Sequence, residues 1–88
     1  MNYTIEDLSL LEALRQGEDM AFEQLFRRYY AVLCAYARRM LSMEDAEEVV
    51  QEVMLWLWEN RHELVIESSL CQYLFKMTYR KVLNHLTR

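Results

Sequence analysis

Proline is absent from this chain and glycine occurs once, at Gly17. Sheets of short strands need many reversals, and reversals draw on Gly, Pro, Asn and Asp. A chain so poor in turn residues does not fold as a β-sandwich or barrel. A glycine-rich phosphate loop is excluded as well, since one glycine cannot build it. The expected fold is all-α, a compact bundle of about four helices. The 88 residues make one domain, 1–88. At this size about 60% of the unfolded surface is buried. The apolar content is 53%, with two Trp, six Tyr, three Phe and six Met. That composition disfavours disorder. It also exceeds what so small a core can hide, and exposed aromatics usually meet a partner.

No stretch reaches the 18 or so apolar residues of a membrane span. The first seven residues carry no basic region and no apolar run, so no secretory signal is visible. The expected location is cytoplasmic, with Cys34 and Cys71 as reduced thiols. The two Cys and two His (His62, His85) have no paired ligand spacing, so neither a metal nor another cofactor is expected. No nucleophile–base–acid arrangement is recognisable. Glu59 and His62 stand three apart, but only once and at a helix end, whereas a di-metal bundle needs two such pairs. An enzyme is not expected.

The net charge of −4 conceals a division. Residues 1–67 hold all 14 acids and six bases, a net of −8, while residues 68–88 hold four bases and no acid, a net of +4. Such asymmetry points to two partners, or to one end that faces nucleic acid.

Thr4 with Asp7 resembles an N-cap pair, and Leu8, Leu11 and Leu14 repeat at helical spacing. Gly17 suits the position just past a helix end, so the first helix spans about 5–16. Asp19 is placed to cap the second. In it Phe22, Leu25, Phe26, Tyr29, Leu33, Tyr36, Ala37 and Met40 keep one apolar face, and Arg38 and Arg39 suit its C-terminal end. Ser42 opens the third helix, whose inner face carries Ala46, Val49, Val50, Val53, Leu57 and Asn60. Residues 62–68 read as a loop with a short extended stretch, in which Leu64, Val65 and Ile66 pack under the last helix. Ser68 or Ser69 caps that helix, which runs to the C-terminus.

Two faces carry chemistry. Residues 40–60 contain six acids and no base, and Glu44, Glu48 and Glu52 form an i, i+4, i+8 ladder. Like charges at that spacing repel by a few tenths of a kcal/mol per pair. Gln51, Leu55 and Glu59 share the face, and Trp58 adds apolar area. A solvated face usually mixes signs, so a basic, partly apolar protein partner is expected here. On the last helix Leu70, Cys71, Leu74, Phe75, Thr78, Val82 and Leu86 fall on a core arc. Tyr73, Lys76, Met77, Arg80 and Asn84 fall opposite, with no acid among them. Lys and Arg can neutralise phosphates, Tyr can stack on a base, and Asn can read a base edge. Either face could instead be merely solvated. The chain would then be a helical interaction module without a DNA role.

Three stretches resemble bacterial sigma factors of the extracytoplasmic-function type, over roughly residues 10–88. Residues 19–30 (DMAFEQLFRRYY) resemble the first conserved helix of region 2. Residues 45–58 (DAEEVVQEVMLWLW) resemble its polymerase-binding helix, and residues 70–86 (LCQYLFKMTYRKVLNHL) its promoter-reading helix. The resemblance implies that Glu48, Gln51, Glu52, Leu55 and Trp58 dock on the β′ clamp helices of core RNA polymerase, a basic coiled coil. It implies that Tyr73 and Leu74 occupy the positions of the family's melting aromatics and that Lys76, Met77 and Arg80 face the −10 promoter element, with one base flipped into a pocket of the preceding loop. An anti-sigma factor is a further implied partner. Tyr73 stands where the family usually has Trp, and Tyr79-Arg80 where it often has Arg-Asn, so promoter preference does not carry over. The family's second domain, region 4, has no counterpart up to Arg88, which leads to the expectation of a fragment or truncated product that binds core polymerase weakly.

Overall fold

The computed structural model describes residues 5–65 and 69–87. Four helices follow in order: α1 (Ile5–Arg15), α2 (Asp19–Ala37), α3 (Met43–Glu59) and α4 (Leu70–Leu86). A 3₁₀ turn, Arg61–Glu63, follows α3. The described residues contain no strand, and none of their helices is long and apolar enough to cross a membrane.

Local chemistry sets most boundaries. Arg15 ends α1 because Gly17 adopts φ +80°, a left-handed conformation that side-chain-bearing residues avoid. The Gly17 amide donates to the Leu14 carbonyl at 2.9 Å and the Glu18 amide to Ala13 at 3.2 Å. This is the paired bonding of a glycine-terminated helix. The Ser42 hydroxyl accepts from the Asp45 amide at 3.2 Å and opens α3. The Ser69 hydroxyl accepts from the Gln72 amide at 3.0 Å and opens α4. Each satisfies one orphan donor of a helix start.

Helix α2 departs from expectation at both ends. Its N-cap is Glu18, without a side-chain hydrogen bond, and Asp19 is the first helical residue. There the Asp19 carboxylate still favours the positive helix end. At the other end α2 stops at Ala37, and Arg38 to Leu41 continue as hydrogen-bonded turns.

The core gathers Leu14, Leu25, Leu33, Leu57 and Leu74, all fully buried, around Val49, Val50, Val53 and Val82. Helix α2 packs against α1, α3 and α4, and α3 packs against α4. Thr78 is buried among them, and its hydroxyl is satisfied by donation to the Leu74 carbonyl at 2.8 Å. The expected inner faces mostly enter this core. Leu8, Phe26 and Leu86 do not and stay exposed. Asn60 caps α3 instead, donating to the Trp56 carbonyl at 2.9 Å.

The 3₁₀ turn fastens α1 to the segment before α4. His62 Nδ1 donates to the Arg15 carbonyl at 2.8 Å, and Arg15 Nε donates to the Leu64 carbonyl at 2.9 Å. Leu64 is buried as expected, but Val65 is exposed. Ile66 and Ser68 lie outside the described residues. Gly17 lies close under this clasp. A Cβ there would stand 2.7 Å from His62 Cε1. Gly17→Ala is therefore expected to cost about 1–2 kcal/mol from the left-handed backbone alone. Displacing His62 adds to that. Thermal unfolding should report it as a fall of roughly 4–8 °C per kcal/mol for a domain of this size.

Candidate nucleic-acid interface and the acidic helix face

The Ser69 cap sets the phase of α4. Leu70, Leu74, Thr78 and Val82 then face the core, and the residues between them are left outside. Tyr73, Lys76, Met77, Arg80 and Asn84 come together along one open hollow of about 690 Å³. All five sequence-designated residues thus share a surface. Trp56, Val65 and Lys81 complete its lining. The Trp56 and Tyr73 rings lie 6.4 Å apart, tilted by 44°. Burial raises the Tyr73 phenol above its ordinary value, opposed by nearby Arg80, so the ring stays neutral. The result is two aromatic rings, three cations and an amide around one concavity. Such a surface can stack bases and neutralise phosphates together.

Sequence reasoning missed Trp56, Val65 and Lys81. A partial signal existed. Trp56 follows Glu52 by one helical turn, and Lys81 adjoins Arg80. That Trp56 meets Tyr73 across two helices is not encoded in either spacing.

The acidic face needs a correction. Its Glu ladder is not wholly uncompensated, because Lys81 Nζ approaches Glu52 Oε1 to 3.9 Å. Asp45 likewise faces His85, with Oδ2 to Nε2 at 3.3 Å. Both pairs join α3 to α4, and the sequence could not reveal them. Glu44 and Glu48 remain exposed. Leu55 is 56% exposed, the least covered apolar residue of α3.

Trp58 is half-buried rather than displayed. Its ring meets Phe22 edge-on at 5.1 Å. The Arg61 guanidinium lies 3.7 Å from its centroid on the ring face, a cation–π contact, and Arg61 Nη1 donates to the Trp58 carbonyl. Arg61 Nε is buried with no hydrogen-bond partner. Phe26 stacks on Tyr30 at 4.6 Å, and Gln51 Nε2 donates to the Tyr30 hydroxyl at 3.4 Å. Gln51, Leu55 and Trp58 therefore border an aromatic ridge from α2 formed by Phe22, Phe26 and Tyr30, of which periodicity alone had assigned Phe22 and Phe26 to the core. Leu55 and Trp58 also line a shallow hollow with Asp19, Phe22 and Glu23.

The sigma-70 region 2 family model matches residues 25–88. The ECF RNA polymerase sigma-E factor of Haemophilus influenzae is 28% identical over 83 residues, covering 94% of this chain and 44% of that protein. The ECF RNA polymerase sigma factor SigM of Mycobacterium tuberculosis is 30% identical over 83 residues, covering 93% and 42%. The chain thus spans less than half the length of these relatives. An NMR structure of an engineered region 2 of sigmaE in complex with GTAAAA superposes with a TM-score of 0.82 at 23% identity, over 99% of this chain and 92% of that one. That likeness establishes the fold. With the family match over most of its length, the chain belongs to the sigma-70 region 2 family.

Proposed function

We propose that this chain is the region 2 domain, spanning 1–88, of an extracytoplasmic-function sigma factor in transcription initiation. In this reading it binds core RNA polymerase through α3 and engages single-stranded −10 promoter DNA through α4. The observation that carries the reading is the convergence of Tyr73, Lys76, Met77, Arg80 and Asn84 with Trp56 and Lys81 on one basic, aromatic hollow. Lys76 and Arg80 are exposed and free to neutralise phosphates. Trp56 and Tyr73 are half-buried but line the hollow, where a ring can stack on an unstacked base. Asn84 can read a base edge, and the adaptable Met77 side chain lines the same hollow. No bond is made or broken, and neither enzyme activity nor a cofactor enters the mechanism.

The α3 face supports the second half of the reading. Glu48, Gln51, Glu52, Leu55 and Trp58 combine acid with exposed apolar area, which suits the basic coiled coil of the β′ clamp helices. An anti-sigma factor that held the chain inactive would cover one or both of these faces. Glu48 gives the cleaner test, because Glu52 also pairs with Lys81. Glu48→Lys is expected to reduce capture by immobilised clamp helices at least about tenfold, equivalent to ~1.4 kcal/mol. Unchanged capture by Glu48→Lys and by the Glu48→Lys/Glu52→Lys pair removes the docking model.

A further inference from the structure

We propose that a second hollow, between the end of α2 and the first half of α4, is a nucleobase subsite for the same single strand of DNA. It is an open depression of about 450 Å³ lined by Tyr36, Gln72, Phe75, Lys76 and Tyr79. The inference rests on the reading that α4 engages single-stranded DNA, and it extends that strand onto an adjoining surface.

The geometry is that of a stacking platform. Tyr36 and Phe75 are half-buried and lock edge to face at 5.1 Å and 76°. That pair forms one wall of the hollow. Tyr79 stands beside it, 44% exposed. Its ring pairs with no other aromatic among the described residues. A large ring left this exposed adds little to folding, and an available π-face is what a base requires. The exposed Gln72 amide at the rim supplies a donor and an acceptor.

Lys76 connects the two hollows, because it lines both. Gln72, Phe75, Lys76 and Tyr79 form an i, i+3, i+4, i+7 stripe on α4. Tyr73, Met77, Arg80 and Asn84 form the stripe beside it. A cation on the boundary between two aromatic hollows is placed to hold a phosphate that links bases in each. Helix α4 carries no acid to oppose that phosphate. One strand can therefore cross α4 with bases on both sides of Lys76.

The test is an NMR titration of the full 88-residue chain with oligothymidylate of ten nucleotides, chosen because stacking tolerates any base. Ring signals of Tyr36, Phe75 and Tyr79 are expected to move together with those of Trp56 and Tyr73. Tyr79→Ala should weaken binding at least about fivefold. Tyr79→Phe should restore it to within about twofold, since the ring and not the hydroxyl is used. Circular dichroism of Tyr79→Ala is expected to match the parent, because the ring is exposed. Suppose Tyr73→Ala and Lys76→Glu weaken binding while Tyr79→Ala does not. The second subsite is then overturned and the α4 reading stands. If no ring signal moves and Lys76→Glu changes nothing, both fall together.

Discussion

Reversing Lys76 and Arg80 together to glutamate is expected to weaken single-strand binding by several hundredfold at about 0.1 M salt. Each phosphate contact to a single strand contributes roughly 0.7 to the slope of log K against log salt. Two contacts are then worth about 1.4 log units between 1 M and 0.1 M salt, and reversal replaces that attraction with comparable repulsion. Both side chains are exposed, so the fold should survive. The neutral pair Lys76→Met and Arg80→Met should flatten the salt slope by about 1.4 without inverting the charge. Lys81 should matter less than either, because Glu52 already engages it at 3.9 Å. Fluorescence anisotropy of a labelled −10 single strand on the polymerase-bound chain gives all three comparisons. Polymerase contributions cancel in the differences between variants. A double reversal that leaves affinity and salt slope as they were removes the phosphate contacts from α4, and with them the promoter role.

The helices are legible in the sequence because their signals are local. Gly17, Ser42 and Ser69 each act within four residues, and each marks the boundary it should. The faces are legible because burial follows the helical period. The five α4 residues set opposite the core arc do share one surface. What periodicity cannot supply is where a neighbouring helix ends. Leu8 and Leu86 keep apolar spacing yet stay exposed, since no neighbour among the described residues covers the outer ends of α1 and α4. Phe26 belongs to an apolar stripe and nevertheless stacks at the surface on Tyr30. The pairings Glu52–Lys81, Asp45–His85 and Trp56–Tyr73 bridge residues 17 or more positions apart. Only the packing of α3 on α4 creates them. It does more than neutralise charge. It places one residue of the candidate polymerase face, Glu52, against one residue of the candidate DNA hollow, Lys81.

Helix α3 therefore serves both surfaces, and Leu57 is the residue on which that depends. Trp56 turns toward the α4 hollow, Trp58 toward the aromatic ridge of α2, and Leu57 between them is fully buried. Leu57→Ala is expected to cost about 2–5 kcal/mol, the transfer term plus the cavity left behind. A domain of this length has a total stability of roughly 4–13 kcal/mol, so the loss is a large share of the whole. Melting followed by circular dichroism should shift downward by about 10 °C or more. Leu55→Ala, two residues away and mostly exposed, should change stability by less than about 0.5 kcal/mol. The two variants separate folding from docking. Leu57→Ala should lower DNA and polymerase binding together, in proportion to the folded fraction. Leu55→Ala should lower clamp binding alone. If Leu57→Ala melts within about 3 °C of the parent, the core tolerates collapse at this position. Trp56 and Trp58 are then held by their ring contacts instead, and the coupling of the two faces through α3 is wrong.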